Sequence, residues 1–197
     1  SPEQVDKVLF DFGFPMGAFA MADMAGLDVG YKVREERRKA GKIEKRDSVW
    51  IDKIVEMGRH GQKTNAGVYK YEDGRTPIPD PVVKELIAEC AKEAGIEQRT
   101  ISDQEILERC LYPMINEGAK ILEEGIAARP LDIDIIWING YGFPAYKGGP
   151  MFWADQIGLQ NIVDAYARYA KQLGDHYWQP APLLAKLAKE GKGFYDL

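Results

Sequence analysis

"GFPMG" at residues 13–17 and "YGFPAYKGG" at residues 141–149 present one Gly-Phe-Pro corner twice in a chain of 197 residues. The order of residues around the corner is also kept. Pro2 and Asp6 match Pro130 and Asp134, and Gly13, Phe14 and Pro15 match Gly142, Phe143 and Pro144. With Ala145, Tyr146 and Lys147 as an insertion, Gly17 falls on Gly149, Ala22 and Asp23 on Ala154 and Asp155, and Gly26 and Leu27 on Gly158 and Leu159. "GVYKY" from Gly67 then matches "GFYDL" from Gly193. Co-linear self-similarity of this kind indicates a duplicated unit. The expected organisation is a first copy at 1–75, a connecting stretch with a helix at 76–100, and a second copy at 101–197. In the second copy a long helix at 103–127 precedes Pro130; the first has no counterpart to it, so the chain reads as N-terminally truncated.

The corner has a physical use as a junction. Gly13 can take a positive φ that ends a helix, Pro15 fixes the exit direction, and Phe14 can plug the gap between helices. Duplication favours a packing device, which a fold needs twice, over a catalytic loop. The rest of the chain reads as helices. Ser1 is an N-cap with Pro2 at the first helical position, and Val5, Val8, Leu9 and Phe12 form one apolar face. Further helices are expected over 17–25, from Asp28 to Gly41, after Asp47 as N-cap, from Pro81 to Gly95, and over 103–127, where Ser102 opens a capping box and Pro113 kinks the helix. Others are expected at 130–139, 149–157, 160–173 and 181–190. "GQKTNAGVYKYEDGRTPIPDP", residues 61–81, breaks the rhythm and reads as loop with a short extended piece at 68–71. The fold class is all-α.

Composition narrows the function. A net charge of −5 argues against a nucleic-acid surface, and no apolar run reaches the roughly 18 residues of a membrane span. Cys90 and Cys110 have no metal or redox spacing and read as reduced thiols. His60 and His176 stand outside any metal-binding spacing, so no metal is expected. The sequence contains no nucleophile elbow, no P-loop and no dinucleotide glycine motif after a strand, so no cofactor is expected in this chain. The basic run at 32–46, with eight basic and three acidic residues, reads as a solvated helix; attraction of an anionic ligand such as a CoA phosphate is the sharper alternative. Asp23 and Asp155 read as caps or partners of backbone amides.

Three stretches carry a resemblance: "FGFPMGAFAMADMAGLDVGYKV", "GQKTNAGVYKY" and "LYPMINEGAKILEEGIAARPLDIDIIWINGYGFPAYKGGPMFWAD". On these the sequence closely resembles the tandem C-terminal domains of 3-hydroxyacyl-CoA dehydrogenase in the multifunctional enzymes of fatty-acid β-oxidation, which also carry an enoyl-CoA hydratase part. The resemblance implies two helical copies packed as a pseudo-dimer, completing the acyl-CoA cleft of an NAD-dependent dehydrogenase. It implies that NAD is bound by a Rossmann domain absent from this chain, and that the chain alone is inactive. Catalytic, cofactor-binding and metal residues are none; Phe14, Pro15, Met16 and Gly17 are the substrate-binding candidates, as cleft lining. The implied partners are that Rossmann domain, the acyl-CoA substrate and a thiolase subunit. A bacterial cytoplasm is the expected location, with the mitochondrion as the other candidate, since "YDL" is not the S-K-L peroxisomal address. The competing readings are a stand-alone helical interaction module and an acyl-CoA binder without redox activity.

Overall fold

The computed structural model describes residues 1–42 and 49–197, which divide into two compact units. The first comprises residues 1–11 and 16–101, the second residues 12–15 and 102–197. The expected Asp47 cap and the end of the basic run at 43–46 lie outside the described residues.

The first unit contains α1 (Pro2–Phe12, whose last residue is counted with the second unit), α2 (Ala18–Ala25), α3 (Leu27–Lys39) and α4 (Val49–Glu56). A two-residue antiparallel pair follows, β1 (Tyr69–Lys70) with β2 (Ile78–Pro79), then α5 (Pro81–Glu93). Start signals act as their chemistry requires. The Ser1 hydroxyl accepts from the Gln4 amide at 3.3 Å, and the Asp80 carboxylate from Val82 at 3.1 Å with Pro81 at the first position of α5. The core gathers Leu27, Ile54, Val55, Val68, Tyr69, Tyr71 and Val83, with Phe19, Trp50, Leu86 and Ile87 against it. Removing each such aliphatic or aromatic side chain from water contributes about 1.5–3 kcal/mol. The helix expected in the connecting stretch, α5, thus packs through Val83, Leu86 and Ile87 into the first unit, which extends to Ile101.

The second unit contains α6 (Asp103–Glu123), α7 (Pro130–Gly140), α8 (Pro150–Ile157), α9 (Leu159–Leu173) and α10 (Pro182–Glu190), with one-turn 3-10 helices at Ala145–Lys147 and Phe194–Asp196. Ser102 caps α6 by accepting from Glu105 at 3.2 Å, and the helix continues through Pro113. On α9 the buried residues are Leu159, Ile162, Ala165, Tyr166 and Tyr169, the stripe that a 3.6-residue period dictates. They meet Ile115, Ala119, Met151, Ala154, Leu184 and Phe194 in one core. The architecture is all-α with one minimal sheet, as expected from the sequence. Among the described residues no helix is long and apolar enough to cross a membrane.

Candidate functional site

The corner at 13–17 divides between the units. Phe14 and Pro15 belong to the second, and Met16 and Gly17 to the first. In the second unit Phe14 stacks on Phe12 with ring centroids 5.8 Å apart and meets Phe143 edge-on at 5.7 Å; Phe12 in turn meets Trp153 edge-on at 5.0 Å. The cluster joins the Phe of both corners, each pair adding about 0.5–1.5 kcal/mol beyond its burial. Gly13 lies at φ +122°, the conformation that lets the chain leave α1. The inserted turn closes over this cluster: the Tyr146 hydroxyl donates to the Phe12 carbonyl at 3.1 Å, and the Lys147 ammonium lies 4.5 Å from the Phe12 ring centre. Pro15 is exposed and Phe14 half-buried.

In the first unit Met16 is half-buried and Gly17 buried. Gly17 is the residue before α2, and a Cβ there would overlap the carboxyl group of Asp6. The absence of that Cβ lets Asp6 reach the first turn of α2, where it accepts from the amides of Phe19 at 2.8 Å and Ala20 at 2.9 Å. A carboxylate on free amides at a helix start is favourable both as a hydrogen-bond acceptor and as a charge against the helix dipole. The Tyr69 hydroxyl donates to the same carboxylate at 2.9 Å. The Tyr69 and Val68 amides, each at 2.9 Å, and the Tyr71 hydroxyl, also at 2.9 Å, all donate to Asp23, which has no solvent exposure. Burial pushes the Asp23 carboxyl up, against these three donors and the Arg59 charge, which pull it down. Burial and Asp6 together push the Tyr69 hydroxyl up, so it stays a donor at every physiological pH.

The second unit repeats the arrangement. Asp134 accepts from the amides of Met151 at 2.7 Å and Phe152 at 3.0 Å and from the Tyr195 hydroxyl at 2.8 Å. Asp155 accepts from the amides of Phe194 at 2.7 Å and Tyr195 at 3.0 Å. Gly149 faces Asp134, as Gly17 faces Asp6, and Gly67 and Gly193 face Asp23 and Asp155. Asp23 and Asp155 therefore pair with backbone amides, as their matched positions suggest. Asp6 and Asp134 were matched in the sequence without a role; the signal was the glycine eleven residues on in the first copy, needed where a carboxylate crosses the backbone.

The histidines carry no catalytic geometry. The His60 amide donates to the Thr64 hydroxyl at 2.8 Å and its carbonyl accepts from Leu27, while His176 packs edge-on to Tyr177. Of the basic run, Arg34 and Arg38 are committed to Asp52 of α4, which is almost wholly buried. No group of His, Cys, Asp and Glu among the described residues could hold a metal ion.

Comparison with known proteins gives a consistent set of matches. The family model described as "3-hydroxyacyl-CoA dehydrogenase, C-terminal domain" matches residues 1–71 and 106–196. The peroxisomal bifunctional enzyme of Danio rerio is 43% identical over 208 residues, covering 97% of this chain and 29% of that protein. The fatty acid oxidation complex subunit alpha of Vibrio campbellii is 36% identical, covering 98% of this chain and 26% of that protein. The chain thus spans less than a third of the length of these relatives. The crystal structure of the dehydrogenase part of multifunctional enzyme 1 from C. elegans aligns with 94% of this chain and 41% of its own, at a TM-score of 0.70 and 33% identity.

Proposed function

We propose a function from the premise that this chain belongs to the family of 3-hydroxyacyl-CoA dehydrogenase C-terminal domains: it is the helical part of a multifunctional β-oxidation enzyme that oxidises a 3-hydroxyacyl-CoA. The single observation that carries this reading is the match along 97% of the chain to a bifunctional enzyme of that family.

The described residues do not fit a dinucleotide site. Such a site needs parallel strands with a glycine-rich turn onto a helix, whereas the strands here are two residues each and antiparallel. We infer that NAD, the hydride acceptor in this family, is held by a separate Rossmann domain. The role of this chain is to line the apolar side of the acyl-CoA cleft with Phe14, Pro15, Met16 and Gly17 and to exclude water there. Met16 supports this role, being an adaptable apolar side chain that is only half-buried. Two copies of one helical unit, 1–75 and 101–197 with a connecting stretch at 76–100, packed as a pseudo-dimer, complete the reading; the aspartate clamp found inside each unit supports the duplication. A thiolase subunit is a further partner, supported by the bacterial relative being a subunit of an oxidation complex. The compartment follows the host, a bacterial cytoplasm or a peroxisome, the latter being the compartment in the name of the Danio rerio relative.

Calorimetry tests the binding role. Titrating acetoacetyl-CoA into this chain alone is expected to give no saturable heat, and into its mixture with a separately expressed NAD-binding portion, saturable binding. Micromolar affinity in the chain alone would instead support the acyl-CoA binder without redox activity.

A further inference from the structure

The two copies use one clamp on different surfaces. In the second unit Asp134 holds the start of α8, where Met151 is wholly buried and Trp153 packs on Phe12 and Phe143. In the first unit Asp6 holds the start of α2 with the same set of three donors, yet Met21, which matches Trp153, is 52% exposed and Met24 54% exposed. The clamp in the first unit therefore fixes a helix that presents methionines instead of burying them.

We propose that Asp6 is a positioning residue for the acyl-CoA cleft, setting the place of Met16 and of the Met21 and Met24 face, with Tyr69 holding Asp6 in turn. The inference rests on the reading of residues 14–17 as cleft lining. Its physical basis is how completely α2 is fixed. Asp6 takes two amides of its first turn. Asp23, inside α2, takes the Tyr69 amide, and the hydroxyl of that same Tyr69 returns to Asp6. Gly17 leaves no slack, because the backbone already lies against the Asp6 carboxyl. A helix held at its first turn by Asp6 and at its last turn through Asp23, with Tyr69 bonded to both carboxylates, gives Met16, two residues before it, a defined position. Flexible methionines then supply the adaptability that acyl chains of different length require. Neutralising Asp6 as Asn places an NH2 group where only acceptors fit, and α2 shifts.

The test is steady-state kinetics of the complete dehydrogenase with a long-chain 3-ketoacyl-CoA and with acetoacetyl-CoA. Asp6→Asn is expected to raise KM for the long chain about 10-fold, short of the roughly 100-fold that a 1 Å misplacement of reacting groups can cost. Its kcat should stay within about twofold, the mark of lost substrate binding instead of lost chemistry. Tyr69→Phe should move KM in the same direction by less, and it carries the test should Asp6→Asn fail to fold. Asp134→Asn, which breaks the matching clamp, should lower Tm and leave KM unchanged. Wild-type KM in both Asp6→Asn and Tyr69→Phe, beside a raised KM in Met16→Ala, would overturn the positioning role while leaving the cleft reading intact. Wild-type KM in Met16→Ala as well would overturn the cleft reading, and the inference with it.

Discussion

Asp23 lies beyond the reach of solvent with three donors aimed at it, whereas its counterpart Asp155 is half-buried and takes two amides. The third donor is missing because Tyr71 is matched by Leu197. Losing an acceptor that several buried donors share costs more than losing a half-exposed one. Asp23→Asn is expected to destabilise by about 2–4 kcal/mol and Asp155→Asn by about 1–2 kcal/mol in urea unfolding. Equal losses would mean that burial and the third bond add nothing. Asp73 shows the opposite environment. The Thr76 hydroxyl and the amides of Thr76 and Arg75 hold its carboxyl down at about 2. A depressed carboxyl stabilises the fold above its ordinary value and loses that contribution as the pH falls through the depressed one. An NMR titration of Asp73 should accordingly have its midpoint near 2, well below the ordinary 3.8. Asp23 and Asp155 were legible because both sit in "AD" at matched positions. The role of Asp6 was not, because its partners lie 13, 14 and 63 residues away in the chain and its one sign, Gly17, stands eleven residues on.

Helices with chemical punctuation were the readable elements. Pro at the first position marks α5, α7, α8 and α10, and the glycines after α2, α8 and α9 end them. The pairing of β1 with β2 was not readable in full, because two residues per strand give no alternation and Pro79 disguises the partner. The place of α5 in the first core was also hidden. Its apolar face is evident in sequence, but the face it meets is set by Ile54 and Val55 of α4, across the loop. In α6, Pro113 interrupts the backbone ladder on an exposed position without ending the helix. Pro113→Ala restores one amide donor and the propensity lost to proline. It should raise stability by about 1–3 kcal/mol in urea unfolding; a loss would mean that packing in this unit relies on the proline's shape.

For the molecule as a whole, the duplicated corner brings its two phenylalanines together. In one copy its Phe sits in an aromatic cluster of the second unit, and Phe143 of the other copy joins the same cluster. In the proposed function this chain shapes a dehydrogenase cleft and performs none of its redox chemistry. NADH-dependent reduction of acetoacetyl-CoA tests it most directly, measured with this chain alone and with a separately expressed NAD-binding portion added. No rate is expected from the chain alone and a measurable rate on mixing; turnover of NADH by the chain alone would mean that it holds a nicotinamide site of its own and would overturn the proposed function.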